Sequence, residues 1–388
     1  MAQTILGSVI NAVKTAAGSD CEIVYEGQIE HPNSNKEKLN SILNNKMKST
    51  LSKLFLILLI MNPVCFCYAQ ESNKLDYSSS IESFANKIII KLNFDTRTNT
   101  YTILNRTDGS RFNVAPNIRN RMFVSLDYQF IGFSYGFSPS FLPDNNSDKS
   151  KGESSFSEFK TRVTLGKFIQ GFSVSNTKGY YVKNRSDVPV EIPDDNDQYL
   201  IPDFKSTIYG MSTSYVFNAN FSFRNLLYQT EWQKKSEGSF IPTLFYSYDR
   251  FSYTLEEQEI KNEIFPFRLA LSYYYTFVVK ENWFLGGNLS PSFGVNFSKR
   301  IVSINDIHIN NRSTEYTKAI EGALQIGYAS KKIIYGTGFS FEVNEYDVDS
   351  DNTLLNDRTY GFIYFGYRFD APEFLDRTYS KFADKFGF

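Results

Sequence analysis

Hydrophobic and polar residues alternate along much of this chain, most regularly between Trp283 and Ser298. The apolar positions of this run are Trp283, Leu285, Leu289, Phe293, Val295 and Phe297. The small or polar positions between them are Gly286, Asn288, Ser290, Ser292, Gly294 and Asn296. Because successive side chains of a strand point to opposite faces, the run predicts one long strand with an apolar and a polar face. Such strands are typical of transmembrane β-barrels, which meet lipid outside and water inside.

The same alternation recurs and predicts about twelve strands, at 109–116, 119–129, 131–141, 157–167, 169–181, 205–217, 239–251, 265–279, 283–300, 315–329, 332–346 and 357–369. The predicted fold class is all-β, a membrane-spanning antiparallel up-and-down β-barrel followed by a short C-terminal helix. Twelve strands would place both chain ends on the periplasmic side. Ten to fourteen strands remain open, because strand boundaries are hard to place from a pattern.

The predicted connections fall into two classes. Long polar connections suit the extracellular side, at 142–156, 182–204, 252–264, 301–314 and 347–356. Tight connections suit the periplasmic side, at 130, 168, 280–282 and 330–331. Residues 218–238 break this rule, because they are long, aromatic and charged but fall on the periplasmic side. Two interpretations stay open, a short helix that caps the periplasmic mouth or a site for a partner.

An internal segment carries the features of a signal peptide. Basic residues between Met47 and Lys53 precede the apolar run Leu54–Met61, and Ala69 supplies a small residue at a cleavage site. We therefore predict a signal peptide at 47–69 and export to the outer membrane. Residues 1–46 would then be an upstream misannotation or extension, and the alternative is a signal anchor that keeps them in the cytoplasm.

The mature chain divides into three predicted parts. These are an N-terminal periplasmic segment and hairpin at 70–108, the outer-membrane barrel at 109–369 and an amphipathic tail at 370–388. The net charge of −1 over 388 residues gives no basic footprint for nucleic acid. The 36 Phe and 26 Tyr suit aromatic girdles at a membrane surface. All three cysteines precede residue 70, so we predict neither disulfides nor cysteine-ligated metal in the mature chain, and no cofactor.

Charged residues fall on the predicted lumen face of several strands. Opposite charges in a narrow barrel tend to pair across the interior and plug it. The same residues would alternatively bind a small anionic ligand, and the candidates are Arg162, Arg268, Glu321, Glu342, Arg358 and Arg368. For a periplasmic protein partner at 218–238, the candidates are Arg224, Trp232, Lys234 and Lys235.

Three further patterns bear on chemistry. Gly132–Gly136 matches a hydrolase Gly-x-Ser-x-Gly motif, but it lies inside an alternating strand rather than at the sharp turn that exposes such a serine. His308 could act as a base with Ser303 or Ser313 and Asp306, which defines a lipid hydrolase alternative. The acidic stretches 194–197 and 347–351 suit solvated turns, or divalent cations shared with lipopolysaccharide.

Several segments also resemble a known family. They are Phe221–Arg224, Gln229–Phe240, Lys87–Phe94 and Ala115–Arg119. The resemblance is to a Bacteroidetes family of exported outer-membrane β-barrel-like proteins described only as a domain of unknown function, and it covers about residues 75–370. It implies an outer-membrane location and supplies no catalytic or binding residues.

These observations favour a non-enzymatic outer-membrane β-barrel that serves as a narrow channel, a ligand-binding protein or a structural component. The alternatives are a lipid hydrolase that uses His308 and a docking subunit that engages a periplasmic partner through 218–238. The expected partners are outer-membrane lipid and lipopolysaccharide, the barrel-assembly machinery that inserts the chain, and a periplasmic protein.

Overall fold

The computed structural model describes residues 80–97, 99–105, 109, 111–183, 199–255, 258–280, 282–304, 307–347, 352–356, 358–375, 377, 379 and 381. The predicted signal peptide and residues 1–46 lie outside this part of the chain. The described strands all belong to one compact unit. In chain order they are β1 (Ile81–Ser83), β2 (Lys87–Asp95), β3 (Tyr101–Asn105), β4 (Arg111–Ala115), β5 (Arg121–Tyr128), β6 (Ile131–Phe137), β7 (Ser155–Leu165), β8 (Phe168–Val182), β9 (Leu200–Tyr215), β10 (Glu231–Gln233), β11 (Glu237–Leu255), β12 (Gln258–Lys280), β13 (Trp283–Ile304), β14 (Ile307–Ala329), β15 (Ile333–Asp347), β16 (Asn352–Leu355) and β17 (Arg358–Asp370). A short helix, α1, covers Phe223–Leu227.

Twelve antiparallel strands close into a ring, as predicted. The ring order is β2, β5, β6, β7, β8, β9, β11, β12, β13, β14, β15 and β17, and β17 pairs with β2 from Phe362↔Asp95 to Asp370↔Lys87. One predicted strand is wrong. Residues 109–116 contribute only the five-residue β4, which stands outside the ring, and β2 from the predicted periplasmic segment takes its place. Five residues are too few to cross a bilayer, whereas β2 approaches the roughly 9–11 residues that a tilted strand needs.

The predicted alternation sets the outer and inner surfaces of the barrel. On β13 the apolar side chains face outward, and Leu289 and Phe293 are 51% and 57% exposed. Ser290, Ser292 and Asn296 face inward and are buried. Neighbouring strands add further outward aromatic and aliphatic side chains, among them Phe267, Leu271, Tyr273, Leu324, Phe339, Ile363 and Phe365. The barrel therefore carries a continuous outer apolar belt, as lipid contact requires.

Among the described residues, no helix combines the length and the apolar character needed to cross a membrane.

The two ends of the barrel differ. Tight turns join strands at 129–130 and 166–167 on the end predicted to be periplasmic. On the other end, two predicted loops are wrong, because residues 252–264 and 301–314 continue the ladders of β11–β14 almost to the hairpin tips. Main-chain hydrogen bonds keep a hairpin paired in water as well as in lipid, so polar side chains there do not end the strands.

A bridge of short strands crosses the end predicted to be extracellular. β4 pairs with β8, β3 pairs with β4 and β16, and β16 pairs with β15. Since β8 and β15 stand opposite each other in the ring, with five strands between them on either side, this bridge spans the mouth. Tyr101 of β3 is buried and packs against Tyr180 and Phe251 of the wall. We call β3, β4 and β16 the lid.

Leu289→Arg tests the outer belt. We expect this change to lower the free energy of unfolding by about 2–4 kcal/mol, because the charge would sit in the middle of the lipid-facing surface. Urea titration in phospholipid vesicles, followed by tryptophan fluorescence, measures the loss.

The matched control is Ile309→Arg. Ile309 is 52% exposed, similar to Leu289, but it lies on the protruding part of β14, opposite Val302. The control should leave the stability nearly unchanged, and equal losses at both positions would contradict the belt.

The lumen as candidate functional site

The segment between β9 and β11 folds back into the barrel instead of hanging below it. We call residues 218–236 the plug. Its helix α1 starts after Ser222, whose hydroxyl accepts a hydrogen bond from the Asn225 amide at 2.8 Å. The buried plug side chains pack against the inner wall, in a core of Phe221, Phe223, Leu226, Ile89, Ile169, Val216, Ile241, Phe284, Ala329 and Ile334. A short helix at this mouth was one of the two interpretations of the sequence.

Charged and polar side chains from the wall hold the plug. Lys91 Nζ donates to the Tyr228 carbonyl and to Gln229 Oε1, both at 2.8 Å. Arg368 Nη2 donates to the Gln229 carbonyl at 2.7 Å. Lys91 and Arg368 are only 4% and 2% exposed, so losing these bonds without water access would leave buried donors unpaired.

The wall also makes room for the helix. Gln325 Nε2 on β14 donates to the Leu226 carbonyl of α1 at 2.9 Å. On the neighbouring strand β13, a Cβ at Gly286 would collide with the Leu226 side chain. The absence of a side chain at Gly286 therefore lets α1 approach the wall this closely.

A chamber of about 440 Å³ lies between the plug and the lid, and Tyr228 and Tyr101 both line it. One wall is built of small residues on adjacent strands, namely Gly171, Ser173, Gly210 and Ser212. The opposite part of the ring contributes Arg358 from β17 and Glu342 from β15. The interior of a barrel this narrow is normally filled by side chains, so the small wall is what leaves the space open.

An ion-pair network joins four strands beside the chamber, β12, β14, β15 and β17. Arg268 Nη2 lies 2.6 Å from Glu321 Oε1 and 3.9 Å from Glu342 Oε1. Arg358 Nη1 lies 3.5 Å from Glu342 Oε2. Two carboxylates and two guanidinium groups thus neutralise one another at this wall.

The other two cations that line the chamber are paired as well. Arg162 forms an ion pair with the buried Asp127, and its guanidinium lies 3.8 Å from the centre of the Tyr228 ring. Lys160 Nζ lies 2.8 Å from Glu158 Oε2.

Asp249 is the exception among the charged groups of the chamber. It lies on the inner face of β11, and its Oδ1 is buried without a hydrogen-bond partner among the described residues. Sequence reasoning missed Asp249, although its alternation with Phe245 and Ser247 on one face of a predicted strand was a usable signal.

The predicted lumen residues divide between two places. Arg162, Arg268, Glu342 and Arg358 line the chamber, and Glu321 contacts it through Arg268. Arg368 instead lies at the plug, where its guanidinium also covers the Phe84 ring at 4.1 Å. That these residues bind a ligand stays a prediction.

The predicted partner residues all lie in the plug. Arg224 faces inward, where Nη2 donates to the Gln129 carbonyl at 2.7 Å and Nη1 lies 3.2 Å from Glu231 Oε1. Trp232 is half-buried against the plug core. Lys234 is exposed and lies 2.9 Å from Glu82 Oε2, and Lys235 is exposed. A periplasmic partner at these residues stays a prediction.

The remaining candidates lie elsewhere. Ser303 Oγ lies 2.9 Å from His308 Nδ1, where the two residues pair across an exposed hairpin, and Asp306 lies outside the described residues. Ser134 accepts a hydrogen bond from Ser125 inside the barrel wall at 2.9 Å. Residues 194–197 and most of 347–351 are outside the described part, and no cluster of His, Cys, Asp or Glu able to hold a metal occurs among the described residues. The hydrolase alternative stays a prediction.

The fold and the lumen define a class, a plugged transmembrane β-barrel of twelve strands. The chain belongs to the family described as a domain of unknown function (DUF4421), whose model matches residues 77–369. This match confirms the family resemblance drawn from the sequence, while a Bacteroidetes origin stays a prediction. No curated protein matches the chain.

Solved outer-membrane barrels match the chain at low identity. The outer membrane protease OmpT from Escherichia coli is 9% identical, with a TM-score of 0.33, over 75% of this chain and 99% of that chain. The β domain of the Bordetella autotransporter BrkA is 9% identical, with a TM-score of 0.30, over 75% and 100%. The Pseudomonas putida toluene transporter TodX is 10% identical, with a TM-score of 0.29, over 74% and 90%. Likeness at this level does not bear on activity.

Arg268→Met tests the ion-pair network. Removing this cation leaves Glu321 and Glu342 facing each other inside the barrel, so we expect the free energy of unfolding to fall by about 3–5 kcal/mol. Urea titration measures the loss, and adding Glu321→Gln to the same chain should restore part of it.

The control is Arg119→Met. Arg119 and Asp144 form an ion pair at 3.5 Å with both side chains more than half exposed. We expect a loss below about 1 kcal/mol there. A loss at Arg268 as small as at Arg119 would contradict the network.

Proposed function

We propose that this protein is a non-enzymatic outer-membrane barrel that holds a small solute in its lumen and is closed at the periplasmic end by the plug. Three features support the proposal: the outer apolar belt, the chamber beneath the lid, and a plug seated inside the ring. The signal peptide predicted at 47–69 would deliver the chain to that membrane.

The main support for the proposal is the set of hydrogen bonds by which Lys91 and Arg368 hold the plug. Both side chains bind plug carbonyls through hydrogen bonds rather than through a covalent link. A hydrogen bond from a charged donor contributes only about 1.5–3 kcal/mol net, because water replaces it when the groups separate. Such contacts close the barrel at rest and permit the plug to move.

Conductance in planar lipid bilayers tests the plug. We expect the wild-type protein to stay closed, because helix α1 and its core fill the periplasmic end. The double variant Lys91→Met, Arg368→Met should open a steady conducting path, since it removes the donors that hold Tyr228 and Gln229 in place. Lys331→Met, an exposed lysine in a turn at the same end, serves as the control and should stay closed.

A disulfide separates plug movement from general damage to the barrel. Leu226→Cys and Gly286→Cys, added to the open variant, join α1 to β13 at a point where the two positions already touch. No cysteine occurs between residues 70 and 388, so the new pair has no native competitor once the predicted signal peptide is removed. The oxidised protein should close and the reduced protein should reopen. A wild-type protein that conducts steadily would overturn the proposal, as would an open variant that the disulfide leaves unaffected.

A further inference from the structure

We infer that the chamber binds a small polyhydroxylated compound of neutral or positive charge, of the size of a sugar, with Asp249 as its main hydrogen-bond acceptor. The inference rests on the proposed function in one respect: both place a small solute inside the lumen. It concerns binding and not passage, so the two can fail separately.

The charges of the chamber argue against an anion. Its four cations already face carboxylates: Lys160 pairs with Glu158, Arg162 with Asp127, and Arg268 and Arg358 with Glu342. A bound anion would have to displace one of these carboxylates and leave it buried without a partner. The paired cations therefore do not form a free anion site, contrary to the use considered for them from the sequence.

The chamber also contains a carboxylate whose second oxygen lacks a donor, although Ser247 makes a hydrogen bond with the group. Asp249 Oδ1 is buried and has no donor within the described part of the chain. A buried carboxylate oxygen without a donor is costly, because the group has lost its water contacts. A ligand that brings hydroxyl or ammonium hydrogens to this oxygen recovers that cost, whereas a ligand carboxylate adds repulsion.

The other side chains that line the chamber fit a ring-shaped molecule with hydrogen-bond donors and acceptors on all sides of the ring. Hydroxyl and amide side chains surround the space, namely Ser173, Ser212, Ser247, Asn296, Thr317, Asn344 and Asn356. Thr317 donates to Asn344 Oδ1 and Arg358 donates to Asn356 Oδ1, so these two asparagines present amide N–H donors. Donors and serine hydroxyls together match a ring with several hydroxyl groups. Phe245 and Tyr228 add apolar faces for the C–H surfaces of such a ring. A volume of about 440 Å³ lies within the range of small-molecule sites.

The size of the chamber depends on the small wall. Gly171 and Gly210 lie on adjacent strands with Ser212 and Ser173 across from them, so no side chain longer than a serine projects from these four positions. Gly210→Leu would place a branched side chain in the space that a ligand needs. This variant reduces the volume of the chamber and leaves the charges of the side chains that line it unchanged.

Isothermal titration calorimetry on the purified full chain tests the inference with three probes that share one ring: glucose, glucosamine and glucuronate. The protein is held in a detergent without a sugar headgroup, so that the detergent does not compete. We expect glucosamine and glucose to bind, and glucuronate to bind at least about tenfold more weakly than glucosamine.

Two variants assign the effect to the chamber. Asp249→Asn should abolish the preference for glucosamine over glucose, because the amide carries no charge, and Gly210→Leu should abolish binding of all three probes. The control, Asp144→Asn, removes an exposed carboxylate outside the chamber and should bind like the wild type.

Each contrary result overturns the inference. Tighter binding of glucuronate would show an anion site, and unchanged glucosamine binding by Asp249→Asn would exclude the acceptor role. Absence of heat with every probe at millimolar concentration would exclude the sugar-like class. None of these three results would affect the proposed closure by the plug, because conductance is measured without any sugar.

Discussion

Charge neutralisation inside a narrow, polar barrel is the constraint on which the rest of this structure depends. Outward positions within the apolar belt face lipid, and the charged side chains of Asp127, Arg162, Arg268 and Glu342 lie inside the barrel, largely shielded from water. Asp127 meets Arg162, and Glu342 lies between Arg268 and Arg358. A buried pair of this kind adds little net stability, but breaking one is expensive, so the pairs specify which strands and which register fit together.

The same constraint explains how one barrel contains both a closed end and an open space. At the end that holds the plug, Lys91 and Arg368 donate to carbonyl groups of the plug backbone, so the plug completes the polar lumen there. Above it, the wall of Gly171, Gly210 and their serine neighbours leaves volume that no side chain fills. One carboxylate oxygen there, Asp249 Oδ1, has no hydrogen-bond donor among the described residues.

The alternation of apolar and polar residues was enough to predict the long barrel strands. Alternation on β13 identified the lipid face and the lumen face correctly, and it placed Arg162 and Arg268 inside. It could not choose between 87–95 and 109–116 as the first barrel strand, because both alternate and the choice depends on which of them pairs with β17. Pairing across nearly the whole chain is a property of the closed ring and not of either segment.

The site was harder to predict for the same reason. Residues 218–238 stood out as too long for a periplasmic turn, but their path into the lumen depends on Gly286 and Gln325, which are distant in sequence. Asp249 followed the inward alternation of β11, yet the absence of a donor for its Oδ1 depends on the side chains that other strands place nearby. Only the folded chain brings these groups together, so no single segment of the sequence predicts their contacts.

The seam between β2 and β17 has a consequence for the order in which the molecule is assembled. The last strand of the ring closes against the first, while β1, just before that first strand, pairs with β10 in the middle of the chain. Contacts between such distant segments form slowly, since long stretches of chain must first be brought together. We therefore expect the β2–β17 seam and the β1–β10 pair to be among the last contacts that form during folding.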